Sequence, residues 1–130
     1  MFALDVTDPN EFVNDTKAAK TVLWEFSNKD DSDLGFTHSE ATIAYLNNGK
    51  WAAVFGNGPC SDAATCGDGE AKLFIVYLDG PAGGVWNKGI QYHKISTGAG
   101  NIAKPNGLFY TPASRPQCRR RCRFCLCRRP

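Results

Sequence analysis

An all-β architecture of antiparallel hairpins follows from three features of this 130-residue chain. Short β-rich segments alternate with turn clusters, and no stretch sustains a helical period. An Asn-Gly pair, Asn48–Gly49, sits between two apolar runs and marks a tight hairpin. A weak internal repeat is also present: FALDV followed by LWEFS resembles LFIVYLDG followed by QYHKIS. Each half is an apolar strand running into Leu-Asp, then a turn, then a strand bearing an aromatic residue. Units of this kind suggest propeller blades, each a four-stranded antiparallel sheet. The strands suffice for about one and a half to two quinoprotein-like blades, followed by an irregular C-terminal tail.

Taken in order, FALDV (Phe2–Val6) alternates and stops at the turn cluster TDPN. EFVNDTKAAK supports a helical turn or two that decorates a hairpin. TVLWEF (Thr21–Phe26) is β-rich and ends at the polar loop SNKDDSD. ATIAYL (Ala41–Leu46) enters NNGK, and WAAVFG (Trp51–Gly56) is the return strand. NGPCSDAATCGDGE is a loop before AKLFIVYLD (Ala71–Asp79), and GPAGG turns the chain into a last strand near Ile90–Ile95. A propeller is held by radial packing and ring closure. An arc this short leaves sheet faces and edges exposed, so the body is expected to be a piece of a larger domain and an unstable isolated monomer.

The net charge of +2 conceals two opposite halves. All thirteen acidic residues lie at or before Asp79 and all eight lysines between Lys17 and Lys104, which gives Met1–Leu108 a net −5. Residues Phe109–Pro130 carry seven arginines and no acid. A chain that uses only lysine and then only arginine changes composition abruptly. No apolar stretch is long enough to span a membrane, and the FALDV start lacks the features of a secretory signal.

The tail, SRPQCRRRCRFCLCRRP, spaces Cys118, Cys122, Cys125 and Cys127 within ten residues. Structural zinc sites pair two ligand couples across a loop, which this spacing lacks. An arginine arm would bind phosphates, but the acidic body offers neither stacking platform nor recognition helix. No nucleic-acid partner is expected. Cys60 and Cys66 flank a Gly/Asp/Ala loop and either close a small disulfide in an oxidising compartment or stand as two solvent-side thiols; the disulfide is favoured. His38 and His93 lack partners at metal-ligand spacing. Asp30, Asp31 and Asp33 form one acidic loop, and Asp62, Asp68 and Glu70 another; neither has a calcium-loop pattern, and both read as solvated turns. Trp24, Trp51 and Trp86 are expected to pack between or against sheets. GNG and GDG read as turns, because no helix start follows them. No catalytic arrangement stands out, and the chain is not expected to be an enzyme.

FALDVTDP, VLWEFS, DLGFTHSEATIAYLNNGKWAAVFGNG, KLFIVYLD and KISTGAG…NGL together resemble the C-terminal propeller of the PilY/PilC family. Asp33–Gly58 is the most specific stretch, and the likeness covers roughly Met1 to Leu108. It departs in the Cys60–Cys66 loop and at Gly80–Gly84, and it stops after NGL. The resemblance implies a type IV pilus tip protein of the cell surface, pilus or outer membrane. In that family such a protein acts in pilus assembly, twitching motility and attachment, with pilus components and host-surface or matrix ligands as partners and calcium as cofactor. The family pattern after NGL is a strand, an aspartate-rich loop and a Tyr-Ala-Gly-Asp strand.

Read one base later, the tail permits VDLNADGVVDFVYAGD, sixteen consecutive positions that meet that pattern. The recovered loop has oxygen ligands at one, three, five and nine with glycine at six, as a calcium loop of the EF-hand type requires. The expectation is a one-base frameshift near Leu108–Phe109. Residues 1–108 are then the propeller piece, residues 109–130 are out of frame and disordered, and the family's calcium loop is lost. Two alternatives from other classes are a quinoprotein dehydrogenase fragment and a small protein with a basic nucleic-acid- or membrane-binding tail. The first should carry AxDxxTGxxxW repeats, which are not found here. The second requires that the tail be selected as protein.

Overall fold

The computed structural model describes residues 1–59 and 67–109. The Cys60–Cys66 pair, Asp62 and all four tail cysteines lie outside the described residues. Strand β1 (Phe2–Leu4) pairs antiparallel with β2 (Val22–Glu25), joining Ala3 to Trp24 and Phe2 to Glu25. Three short helical turns fill their connection: a 3-10 turn at Pro9–Phe12, α1 at Asp15–Ala18 and a second 3-10 turn at Ala19–Thr21. Asp8 and Asn14 cap the first two with side-chain oxygens that accept backbone N–H bonds, and Pro9 opens the first. The segment decorates a hairpin, as its sequence suggests.

Strands β3 (Thr42–Tyr45), β4 (Trp51–Gly56), β5 (Glu70–Tyr77) and β6 (Tyr92–Gly100) form one antiparallel sheet in sequence order. A four-stranded meander is one propeller blade, and the β1–β2 pair supplies half of another. At the β3–β4 hairpin, Leu46 N donates to Lys50 O (2.9 Å) and Gly49 N to Leu46 O (3.0 Å), with Gly49 at φ +79°. The Asn-Gly signal thus sits in a five-residue connection that closes on a left-handed glycine. The last strand starts later than its sequence suggests: Ile90 lies in the turn before it, exposed, and β6 runs on to Gly100.

Alternation divides the large sheet into two apolar faces. Ala53, Phe55, Phe74, Val76 and Tyr92 face the β1–β2 pair and close a core with Trp24, Phe26, Leu34 and Trp86. Phe26 is fully buried and touches the rings of Phe74, Trp86 and Tyr92 at centroid distances of 5.7, 5.1 and 4.9 Å. The opposite face carries Ala52, Ile75 and Tyr77, with Leu46 and Val54 packed beside them. On the inner face the apolar surface continues past the reach of β1–β2 to Ile43, Tyr45 and Trp51, which are all more than half exposed. Trp51 therefore does not pack between sheets in these residues; its ring meets Tyr45 at 5.2 Å on the surface. Trp24 and Trp86 do pack between them.

Candidate functional site

Along the inner face the apolar run Val76, Phe74 gives way to Lys72 on β5, and Tyr92 gives way to Lys94 on β6. Both lysines point to the sheet end where the β2–β3 connection crosses. Lys94 Nζ lies 2.8 Å from Asp31 Oδ1 and 2.5 Å from Asp33 Oδ2. Lys72 Nζ lies 3.3 Å from Asp33 Oδ2 and also binds the Asp68 carboxylate. The Tyr92 hydroxyl donates to Asp31 Oδ2 (2.8 Å), and the Asp68 amide donates to Asp33 Oδ1 (3.2 Å). The two acidic loops are therefore not both solvated turns. Asp31 and Asp33 are 7% and 6% exposed and ion-paired, and Asp33 joins its loop to Asp68. Burying lone carboxylates is costly, so each arrives with an ammonium partner.

The electrostatics follow the pairing. Burial pushes the Asp33 carboxyl up, but the Lys94 and Lys72 ammoniums and the Asp68 amide outweigh it and hold the group below the usual carboxylate range. Hydrogen bonding to Lys72 holds Asp68 low as well. Burial pushes Lys72 and Lys94 down, and their carboxylate partners reverse this, so both ammoniums are stabilised above the ordinary lysine value. Burial and the Asp31 carboxylate push the Tyr92 phenol up. Among the described residues no group of three or more His, Cys, Asp or Glu is arranged to hold a metal ion. The carboxylates that approach one another here face lysines, so these residues do not fit a calcium ion.

Beside this cluster the GNG motif is a crossing point rather than a turn. Asn57, at the end of β4 and 1% exposed, uses its whole carboxamide. Nδ2 donates to the Asp33 and Glu70 carbonyls (3.1 and 3.0 Å), and Oδ1 accepts from the Lys72 and Leu108 amides (2.9 and 3.0 Å). The flanking glycines admit the neighbouring backbones. A Cβ at Gly56 would lie 2.0 Å from Leu108 O, and one at Gly58 (φ +70°) would lie 1.7 Å from Phe36 O. In GDG, a Cβ at Gly67 would meet the Asp33 carboxylate at 1.8 Å.

Of the remaining sequence candidates, Glu70 reaches Lys72 Nζ at 3.7 Å, while the two histidines stay apart from this site. His93 Nε2 lies 3.1 Å from the Tyr77 hydroxyl on the opposite face, and His38 is exposed beside Phe36. Sequence reasoning missed Lys72, Lys94, Tyr92 and Asn57. The available signal was a lysine at each of two otherwise inward-facing strand positions, together with Gly-Asn-Gly at a strand end.

Residues 1–111 match the family model described as the PilY1 beta-propeller domain. The chain is 47% identical over 108 residues to the type IV pilus biogenesis factor PilY1 of Pseudomonas aeruginosa PAO1, covering 83% of this chain and 7% of that protein. It is 50% identical over 78 residues to PilY1 of P. aeruginosa UCBPP-PA14, covering 60% of this chain and 6% of that protein. Against a PilY1 homolog of Xylella fastidiosa Temecula1 it is 47% identical over 78 residues, covering 60% and 5%. The chain thus spans well under a tenth of the length of the curated relatives it matches. No solved structure matches. The blade-and-a-half architecture and the match across residues 1–111 place this chain in the PilY1 β-propeller family of type IV pilus biogenesis factors.

Proposed function

We propose that this chain is a wedge of a longer, non-catalytic PilY1-type propeller that serves pilus assembly and attachment at the cell surface. One observation carries the wedge reading: the inner face of the β3–β6 sheet is covered by β1–β2 only in part. The strip Ile43–Tyr45–Trp51 continues the covered surface and is exposed. By the internal repeat, β1–β2 corresponds to β5–β6. Two further strands, paired to the free edge of β1 as β4 pairs to β5, would lie over that strip. Pilus components as partners come to this chain through the relatives' names as pilus biogenesis factors. Surface attachment, twitching and host ligands rest on the family resemblance of the sequence alone. No helix among the described residues is long and apolar enough to cross a membrane.

The domain division at residue 108 and the frameshift belong to the same proposal. Calcium dependence is assigned to the aspartate loop of the shifted frame and not to the Asp31–Asp33 cluster, which lysines occupy. Sequencing the coding strand past codon 108 tests the frame: a one-base-shifted reading without the aspartate loop rejects it.

Two experiments test the wedge. Adding ahead of Met1 the preceding two-strand segment of the P. aeruginosa relative should shift Trp51 emission to the blue and sharpen the melt; an unchanged Trp51 spectrum counts against it. Replacing the matching segment of that relative with residues 1–108 should preserve surface pili. Loss of pili from a chimera that is still secreted rejects the assignment to pilus assembly.

A further inference from the structure

We infer that Asn57 is a coupling residue, through which the buried Asp31–Asp33–Lys94 cluster sets the order of residues 105–109. The inference rests on packing within the described residues and not on the proposed function. Three segments converge on Asn57. The β2–β3 connection reaches it through Asp33 O on Nδ2 and through Gly35 N, which donates to Asn57 O (3.0 Å). Strand β5 reaches it through Glu70 O and Lys72 N. The strap that follows β6 reaches it through Leu108 N, which donates to Oδ1, while Gly58 N donates to Leu108 O (3.1 Å).

A carboxamide has two N–H donors and two oxygen lone pairs, and here all four are used. The group is planar and stiff, so the Asp33 carbonyl cannot shift without turning the oxygen that holds Leu108. Water cannot substitute, since the side chain is buried. The glycine contacts remove slack from the same crossing. A Cβ at Gly107 would lie 2.1 Å from Gly58 O, so the strap and the β4 end are in direct backbone contact.

What holds Asp33 in place is the ammonium of Lys94, assisted by Lys72 and by the Asp68 amide. Lys94 forms no bond with Asn57 or with residues 105–109. Loss of its charge leaves buried Asp31 without an ammonium and Asp33 with Lys72 alone, so the carboxylates turn toward water and carry the 31–35 backbone with them. The strap then loses its acceptor on Asn57 at a distance from the substituted side chain. By thermodynamic reciprocity, displacing the strap must loosen the 31–35 loop.

The test is amide exchange, followed by NMR on the full 130-residue chain in sulfate, which strengthens burial. In Lys94→Met, the Leu108 and Asn106 amides should exchange about tenfold faster or more, together with Gly35. The β4–β5 amides of Ala53 and Phe55 should keep their rates. In the reverse arm, Gly107→Ala should speed Gly35 exchange while leaving the same sheet amides unchanged. Lys50→Met, which alters an exposed pair with Asp79, should move none of these. Faster exchange at Gly35 with Leu108 unchanged overturns the coupling. Equal acceleration of every amide also overturns it, because the effect is then global stability. A chain without any protected sheet amide overturns it too, since the crossing would then not form.

Discussion

Trp24 and Trp86 meet edge to face, with ring centroids 5.4 Å apart, and each indole donates into the other's half of the structure. Trp24 Nε1 donates to Leu78 O at the end of β5 (3.0 Å), and Trp86 Nε1 donates to Glu25 O on β2 (2.7 Å). This reciprocal pair joins the half-blade to the full blade. Trp86→Phe keeps most of the ring and strands the Glu25 carbonyl, so it should cost about 1–2 kcal/mol. Trp86→Ala should cost about 3 kcal/mol or more. Trp51→Ala, at an exposed ring, should stay within about 0.5 kcal/mol. Denaturant midpoints in sulfate order the three, and equal losses for Trp86→Ala and Trp51→Ala would contradict the packing.

Lys94 and Lys50 offer a matched comparison of ion pairs. Lys94 binds two buried carboxylates, whereas Lys50 meets Asp79 in solvent. Lys94→Met should destabilise the 31–35 loop locally by about 3 kcal/mol, read from Gly35 amide exchange, because it leaves buried Asp31 without an ammonium and Asp33 with Lys72 alone. Lys50→Met should cost less than about 1 kcal/mol. Added salt should narrow the small effect and leave the large one nearly unchanged.

Stability should show a plateau with an acid and an alkaline edge. Asp33 and Asp68 are held low in the folded chain. Their contribution is complete above the ordinary aspartate value of about 3.9 and drains as pH falls through their lower folded values. Lys72 and Lys94 are held high. Their contribution is complete below about 10.4 and is lost as pH rises through the raised folded values. Tryptophan fluorescence followed from acid to alkali should place both edges outside that interval. An edge near neutrality would contradict the cluster.

Two glycines with positive φ separate conformational strain from close contact. Gly83 (φ +63°) has open space where a Cβ would go, so Gly83→Ala should cost about 1–2 kcal/mol, the left-handed strain alone. Gly58 adds the Phe36 carbonyl at 1.7 Å, which belongs to backbone and cannot swing away. Gly58→Ala should therefore cost clearly more and loosen the 35–37 segment. Equal midpoints for the two variants would reject the close crossing.

How much the sequence discloses differs between strands and site. WAAVFG became β4 residue for residue and AKLFIVYLD became β5 with its ends moved to Glu70 and Tyr77, because continuous apolar runs bounded by turns have few alternatives. The helical decoration between β1 and β2 was legible in EFVNDTKAAK, which allows a turn or two without a sustained helical period. Asp31 and Asp33 were misread because an acidic loop looks solvated until its partners are known. Those partners lie far along the chain, Lys72 39 residues (72 − 33) after Asp33 and Lys94 63 residues after Asp31, and only the β5–β6 register brings them together. Asn57 was hidden for the same reason: a Gly-Asn-Gly string is a turn signal locally, and only tertiary contact makes it a crossing.

The full bonding of Asn57 also bears on how the molecule ages. In a loose Asn-Gly sequence the glycine nitrogen can attack the side-chain amide carbon, expel ammonia and leave a succinimide that opens to aspartate or its β-linked isomer. Asn57–Gly58 has that sequence, yet Gly58 N is committed to Leu108 O and the carboxamide is fixed by four partners. Attack requires that those buried bonds be broken first. Asn48–Gly49 has Gly49 N on Leu46 O and its carboxamide on Tyr77 and Lys50. That pair nonetheless stands exposed to water, as does Asn106 of the Asn106–Gly107 pair in the strap. Chemical damage on storage should therefore begin at these exposed pairs and reach Asn57 only after the fold has opened.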